Sequence, residues 1–153
     1  MNPTAPALDT ETAGQLRTVI GRLARRLRTT AAAREAGLTP TGISVLLNVN
    51  RTGPCRMSEL AEAEGLNPTM LSRVVSDLGA SGLTERFSDL NDRRAAWVDI
   101  TKKGRRLAER MRSERTEAVN AAMRALSGDE RQRIERALPA LEALVEELKE
   151  RRP

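Results

Sequence analysis

Asn67-Pro68-Thr69-Met70-Leu71-Ser72-Arg73-Val74-Val75-Ser76-Asp77-Leu78 decides the fold, because it writes a short helix with one apolar and one hydrogen-bonding face. Asn67 is a strong N-cap, and Pro68 suits the first helical position, where its missing N–H would be unpaired anyway. Leu71, Val74, Val75 and Leu78 fall on one stripe of a 3.6-residue period, whereas Thr69, Ser72, Arg73 and Ser76 turn to the other side. Hydroxyls beside a guanidinium suit contact with nucleic acid. A solvated surface helix is the other reading these residues alone allow.

Immediately upstream, Ser58 is placed to cap a short helix over residues 59–64, with Leu60 and Ala61 facing inward and Gly65 as its stop. A short helix, the turn Glu64-Gly65-Leu66-Asn67 and a second helix with a polar outer face form a helix-turn-helix, whose second helix lies in the major groove. After Gly79 and Gly82 the period changes to 2. Leu83, Glu85 and Phe87 alternate with Thr84, Arg86 and Ser88; turn residues 89–94 follow; then Ala96, Val98 and Ile100 alternate with Ala95, Trp97 and Asp99. A hairpin directly after a helix-turn-helix is a wing. Its tip carries Arg93 and Arg94, suited to a minor groove, and Asp92 is positioned to hold the Arg94 guanidinium; a purely structural ion pair is the alternative.

The flanks supply helices. Residues 1–8, with Pro3 and Pro6, read as a flexible tail, and Leu16, Val19, Ile20, Leu23 and Leu27 mark one amphipathic helix over about 9–36, closed by Gly37. Its other face is basic (Arg17, Arg22, Arg25, Arg26, Arg28, Arg34), which fits either plain solvation or phosphate contact. Thr39-Pro40 repeats the cap-and-proline signature and opens a mostly buried helix with Ile43, Val45, Leu46, Leu47 and Val49; Thr52-Gly53-Pro54-Cys55 reads as a turn. Thr101 caps a long helix whose first residues, Lys102, Lys103, Arg105 and Arg106, oppose the helix dipole, and phosphate contact is one compensating reason. Ser127 and Glu130 form a capping box for a last helix carrying Ile134, Leu138, Leu141, Leu144, Val145 and Leu148. The terminal apolar stripes exceed what a small winged lobe can cover. Something else must bury them.

Composition narrows the function. The chain has 153 residues, enough for one domain, and 26 basic against 21 acidic residues favour a polyanionic partner. Residues 107–153 carry ten of each sign, so the basic excess lies upstream. With no His, no Tyr and the single Cys55, neither a disulfide nor a Cys/His zinc site is available, and the usual proton-transfer groups are depleted. The expectation is no catalytic residue, no metal and no cofactor. Neither a basic leader with an apolar core nor a long apolar run occurs, so a soluble cytoplasmic protein without membrane contact is expected.

The order of elements resembles the MarR family of winged helix-turn-helix repressors, over about residues 9–150. The most specific pieces are Asp92-Arg93-Arg94 with Val98-Asp99-Ile100-Thr101-Lys102-Lys103-Gly104, which looks like the family's wing pattern, and Leu60-Ala61, Leu66, Ser72-Arg73-Val74-Val75, Leu78 and Gly82-Leu83. The resemblance implies a mostly α (α+β) chain: a DNA-binding lobe over about 39–101, and helices over about 9–36 and 101–150 forming a dimerisation region within one domain, 9–153. It implies a homodimer on a pseudo-palindromic double-stranded DNA operator. Carried over, Pro68, Thr69, Ser72, Arg73 and Ser76 meet the major groove, Arg94 and Arg93 the minor groove with Asp92 orienting, and Ser58, Lys102 and Lys103 the phosphates. Family members often release DNA when a small anionic or aromatic molecule binds between the dimer helices and the lobe. One Phe, one Trp and no Tyr leave little aromatic surface, so no particular effector follows. Arg17, Arg22 and Arg25 are the candidates for an anion, and Trp97 either packs on a helix or lines that cleft. Cys55 has a basic neighbour, Arg56, but a lone cysteine is more often inert. The rival reading is a winged-helix protein-interaction module without DNA-binding activity.

Overall fold

The computed structural model describes residues 10–88 and 96–150; the N-terminal tail and the wing tip with Asp92, Arg93 and Arg94 lie outside the described residues. In chain order the elements are α1 (Thr10–Arg28), α2 (Ala31–Glu35), α3 (Pro40–Thr52), β1 (Cys55–Arg56), α4 (Met57–Glu64), α5 (Pro68–Ala80), β2 (Thr84–Ser88), β3 (Ala96–Ile100), α6 (Lys102–Arg124) and α7 (Gly128–Glu150). This is a mostly helical winged helix-turn-helix with a small antiparallel sheet. The contacts fall into two units that divide within α6 at Arg115.

In the first unit the core forms where α3, α5, β3 and α6 meet: Val45, Leu46, Val49, Leu71, Val75, Val98, Ile100 and Met111 are fully buried. The sheet order is β1-β3-β2, with Arg86 opposite Val98 and Phe87 opposite Trp97. β1 is a third strand where the sequence suggested only a turn: Cys55 and Arg56 pair with Val98 and Trp97. Its two residues are too few to show a period, so only pairing with β3 reveals them.

Two further expectations are corrected. The single helix over 9–36 is broken at Thr29-Thr30, where Thr30 turns extended and accepts from Ala33 N–H at 3.2 Å, starting α2. Consecutive residues of α6 hold the break: the Glu114 carboxylate accepts from Ala32 N–H at 3.2 Å, while the Arg115 guanidinium donates to Leu27 O at 2.9 Å and Arg28 O at 3.2 Å. An acid thus meets the start of one helix and a base the end of the other, the favourable sense for both dipoles. Ser58, expected as a cap, lies inside the first turn of α4. That helix begins two residues earlier than expected, at Met57 after Arg56, whose N–H donates to Glu59 Oε2 at 3.4 Å.

The base of the wing locks onto α6 through an unusually close approach. Gly104 lies so near Leu83 that an added Cβ would stand 2.1 Å from the Leu83 carbonyl oxygen and 2.7 Å from Ile100 Cγ1. Thr101 braces the contact: its hydroxyl donates to Gly82 O at 2.6 Å and accepts from Gly104 N–H at 3.1 Å, and its own N–H donates to Leu83 O at 3.1 Å.

In the second unit Ser127 and Glu130 complete the expected capping box, with Glu130 N–H to Ser127 Oγ at 3.2 Å and Ser127 N–H to Glu130 Oε2 at 2.9 Å. Ile134, Leu138, Leu141, Val145 and Leu148 of α7 are exposed. Among the described residues no helix is long and apolar enough to cross a membrane.

Because the atom facing Gly104 is backbone and cannot swing aside, Gly104→Ala is expected to destabilise the fold by about 3 kcal/mol, read as a lower urea midpoint at unchanged slope.

Candidate nucleic-acid interface

α5 is set by its two ends. Asn67 Oδ1 accepts from Met70 N–H at 2.8 Å, and Pro68 occupies the first turn. Before it, Gly65 takes φ 63°, and the bonds Leu66 N–H to Ala61 O at 2.9 Å and Gly65 N–H to Glu62 O at 3.1 Å close α4 in a Schellman turn. The positive φ explains why glycine sits there. Leu71, Val75 and Leu78 are buried and Val74 packs partly against the same core. With that stripe held, Pro68, Thr69, Arg73 and Ser76 are exposed and Ser72 is half-buried. The five residues expected to meet a major groove therefore share one accessible face.

Two of those residues have a partner that the periodicity did not single out. Arg86, exposed on β2, donates to Ser72 Oγ at 3.2 Å and to Ser76 Oγ at 3.4 Å. Two residues earlier on the same strand, Thr84 is buried and donates to Val75 O at 3.4 Å, so both side chains point to α5, as a period of 2 requires. That alternation was the available signal; which of the two strand sides meets α5 needed the packing.

The expected phosphate contacts differ in what holds them. Lys103 Nζ donates to Ser81 O at 2.7 Å, and Arg105 lies 3.9 Å from the Asp99 carboxylate, so part of the charge opposing the α6 dipole is offset internally. Lys102 and Ser58 are exposed.

The residues suggested for an effector are not brought together. Arg22 and Arg25 line, with Arg26, a surface recess on the exposed helix α1, and Arg17 lies further up that helix. Trp97 belongs to the wing: its ring stacks on Phe87 with centroids 6.3 Å apart, and the Arg56 guanidinium lies over it at 5.6 Å. An open cavity of about 510 Å³ lies instead beside the end of α1, lined by Leu27, Arg28, Ile43, Leu47, Leu66 and Arg115 among others.

Cys55 is buried in β1. Burial pushes its thiol pKa up and Glu59 and Asp99 push the same way, against a lowering hydrogen bond from Thr52. The neighbouring Arg56 guanidinium is spent on Trp97 rather than on the thiol.

A helix-turn-helix with a polar second helix, followed by an antiparallel wing, defines the winged-helix class of regulators. Within that class, the description MarR family matches residues 38–96. The regulator YxaD of Bacillus subtilis is 32% identical over 99 residues, covering 65% of this chain and 69% of that protein. A second B. subtilis regulator, YwhA, is 26% identical over 87 residues, and the chain spans only 63% of its length. A solved regulator structure from Pseudomonas aeruginosa superposes with a TM-score of 0.75 at 32% identity, covering 92% of this chain and 98% of that one. The chain belongs to the MarR family of helix-turn-helix transcriptional regulators, which are not enzymes.

With its thiol pKa raised by folding, Cys55 stabilises the fold while both states are protonated, and that contribution is lost as pH rises through the folded value. Alkylation of Cys55 is expected to be much slower in the folded than in the urea-unfolded chain, and peroxide is expected to leave duplex binding equal in wild type and Cys55→Ser.

Proposed function

We propose that the chain is a homodimeric, sequence-specific repressor that binds a pseudo-palindromic DNA operator and so blocks promoter access. The observation that carries this reading is the face of α5: Thr69, Arg73 and Ser76 exposed together, backed by the buried Leu71, Val75 and Leu78. Arg73 reads a base, and Pro68, Thr69, Ser72 and Ser76 complete the major-groove contact. Ser58, Lys102 and Lys103 hold phosphates, which position the protein without specifying sequence. Arg94 and Arg93 enter the minor groove, with Asp92 orienting Arg94. Lys102 is the stronger phosphate candidate of the two lysines, since Lys103 already donates to Ser81 O.

Dimer formation is supported by the seam on α7. Ile134, Leu138, Leu141, Val145 and Leu148 follow at alternating steps of four and three and are all exposed. That spacing keeps one apolar line facing a partner helix. On α1, Val19, Ile20 and Leu23 are likewise exposed. Burial against a second copy removes this surface from water, and two-fold symmetry then sets half-sites roughly 10 to 10.5 base pairs, or a multiple, apart.

Release by a small anionic molecule is part of the same reading, seated in the cavity beside α1. Arg115 lines that cavity and also holds the end of α1, so an anion drawing the guanidinium away would loosen the α1–α2 junction.

Selection of duplexes from a random pool is expected to recover a palindromic site. On it, Arg73→Ala should relax one position by about 1 to 3 kcal/mol, while Lys102→Ala weakens all sequences alike and lowers the salt slope by about one. No selected site and no effect of either change would leave the interaction-module reading. Leu138→Glu is expected to shift sedimentation from dimer to monomer and to abolish high-affinity operator binding.

A further inference from the structure

Ser72 and Ser76 stand one turn apart on α5, and both hydroxyl oxygens accept from the same guanidinium, that of Arg86: Nη2 to Ser72 Oγ at 3.2 Å and Nη1 to Ser76 Oγ at 3.4 Å. Two other hydroxyls behave differently: Thr18 in α1 and Ser81 just past the end of α5 each donate to the carbonyl four residues earlier, spending their proton on the local backbone. Ser72 and Ser76 are instead turned to Arg86. A guanidinium has donors and no acceptor, so each serine enters the contact as acceptor and keeps its O–H for another partner.

The charge then biases which partner that is. A second N–H approaching the same oxygen meets the cation, whereas an acceptor is attracted to it. An O–H whose oxygen already accepts from a cation is also polarised towards stronger donation. Arg73, on the same face, is donor-only as well.

We propose that Arg86 is a specificity-determining positioning residue: by occupying the oxygens of Ser72 and Ser76 it makes the reading face of α5 a surface of donors. Such a face selects acceptor edges in the major groove, guanine N7 and O6 foremost, and rejects the N4 amino group of cytosine. This inference rests on the DNA-reading role of α5.

The test uses the intact protein and a duplex selected by wild type. Ser72→Ala and Ser76→Ala, which leave Arg86 in place, identify the bases facing each hydroxyl. At those bases wild type is expected to prefer guanine and to lose roughly five- to tenfold in affinity when 7-deazaguanine removes the N7 acceptor. In Arg86→Met, which keeps the apolar stem but no donor, that penalty should fall below about twofold, while discrimination at the base read by Arg73 stays. Adding Arg86→Met to the double variant Ser72→Ala/Ser76→Ala should change no base preference further. A serine pair whose removal alters no base preference, or a cytosine preference at those positions, overturns the proposal. So does an Arg86→Met protein that weakens on all sequences alike, with a salt slope lower by about one and the 7-deazaguanine penalty intact; that result makes Arg86 a phosphate contact. Wild type that selects no duplex defeats the DNA reading itself, whereas a selected operator read identically by wild type and Arg86→Met defeats only the role of Arg86.

Discussion

The close passage of α6 over the Leu83 carbonyl is the constraint on which the functional surface depends. Only a residue without Cβ fits at Gly104, and Thr101 ties the passage to Gly82 on one side and to the α6 backbone on the other. Gly82 itself takes φ 70°, which lets the chain reverse between α5 and β2. Because α5 ends and β2 begins within this knot, the angle between α5 and the wing is held by close backbone packing and by short threonine side chains bonded to backbone. Thr84 then fastens β2 to the Val75 carbonyl, and two residues on, Arg86 arrives over Ser72 and Ser76.

A second junction connects the lobe to its N-terminal helix. Glu114 and Arg115 are consecutive in α6, yet they serve opposite helix ends, the start of α2 and the finish of α1. Orphan N–H groups meet a carboxylate and orphan carbonyls meet a guanidinium, so a break that would otherwise expose backbone is satisfied on both sides. Arg115 also borders the cavity beside α1. One guanidinium therefore both holds the end of α1 and lines that cavity.

Much of this was legible locally. The caps at Thr39, Asn67 and Ser127 bond residues three positions away, and each appears where its sequence signature stood. Leu71, Val75 and Leu78 are buried as their period required, since an amphipathic stripe has only one way to face a core. The break at Thr29-Thr30 was not legible, because the groups that satisfy it lie more than eighty residues along the chain. β1 escaped for a related reason: its identity comes from pairing with Val98 and Trp97.

The sequence alone determined the class of fold, the position of α5 and which of its faces turns outward, because caps, glycine turns and hydrophobic periods act over a few residues. Tertiary structure alone decided what those outward residues are coupled to. Ser72 and Ser76 look like free hydroxyls in the sequence; in the folded chain a strand crossing beside α5 sets a cation on their oxygens. Hydrogen-bond polarity depends on the partner as much as on the residue, and that partner is chosen by packing between elements distant in the chain.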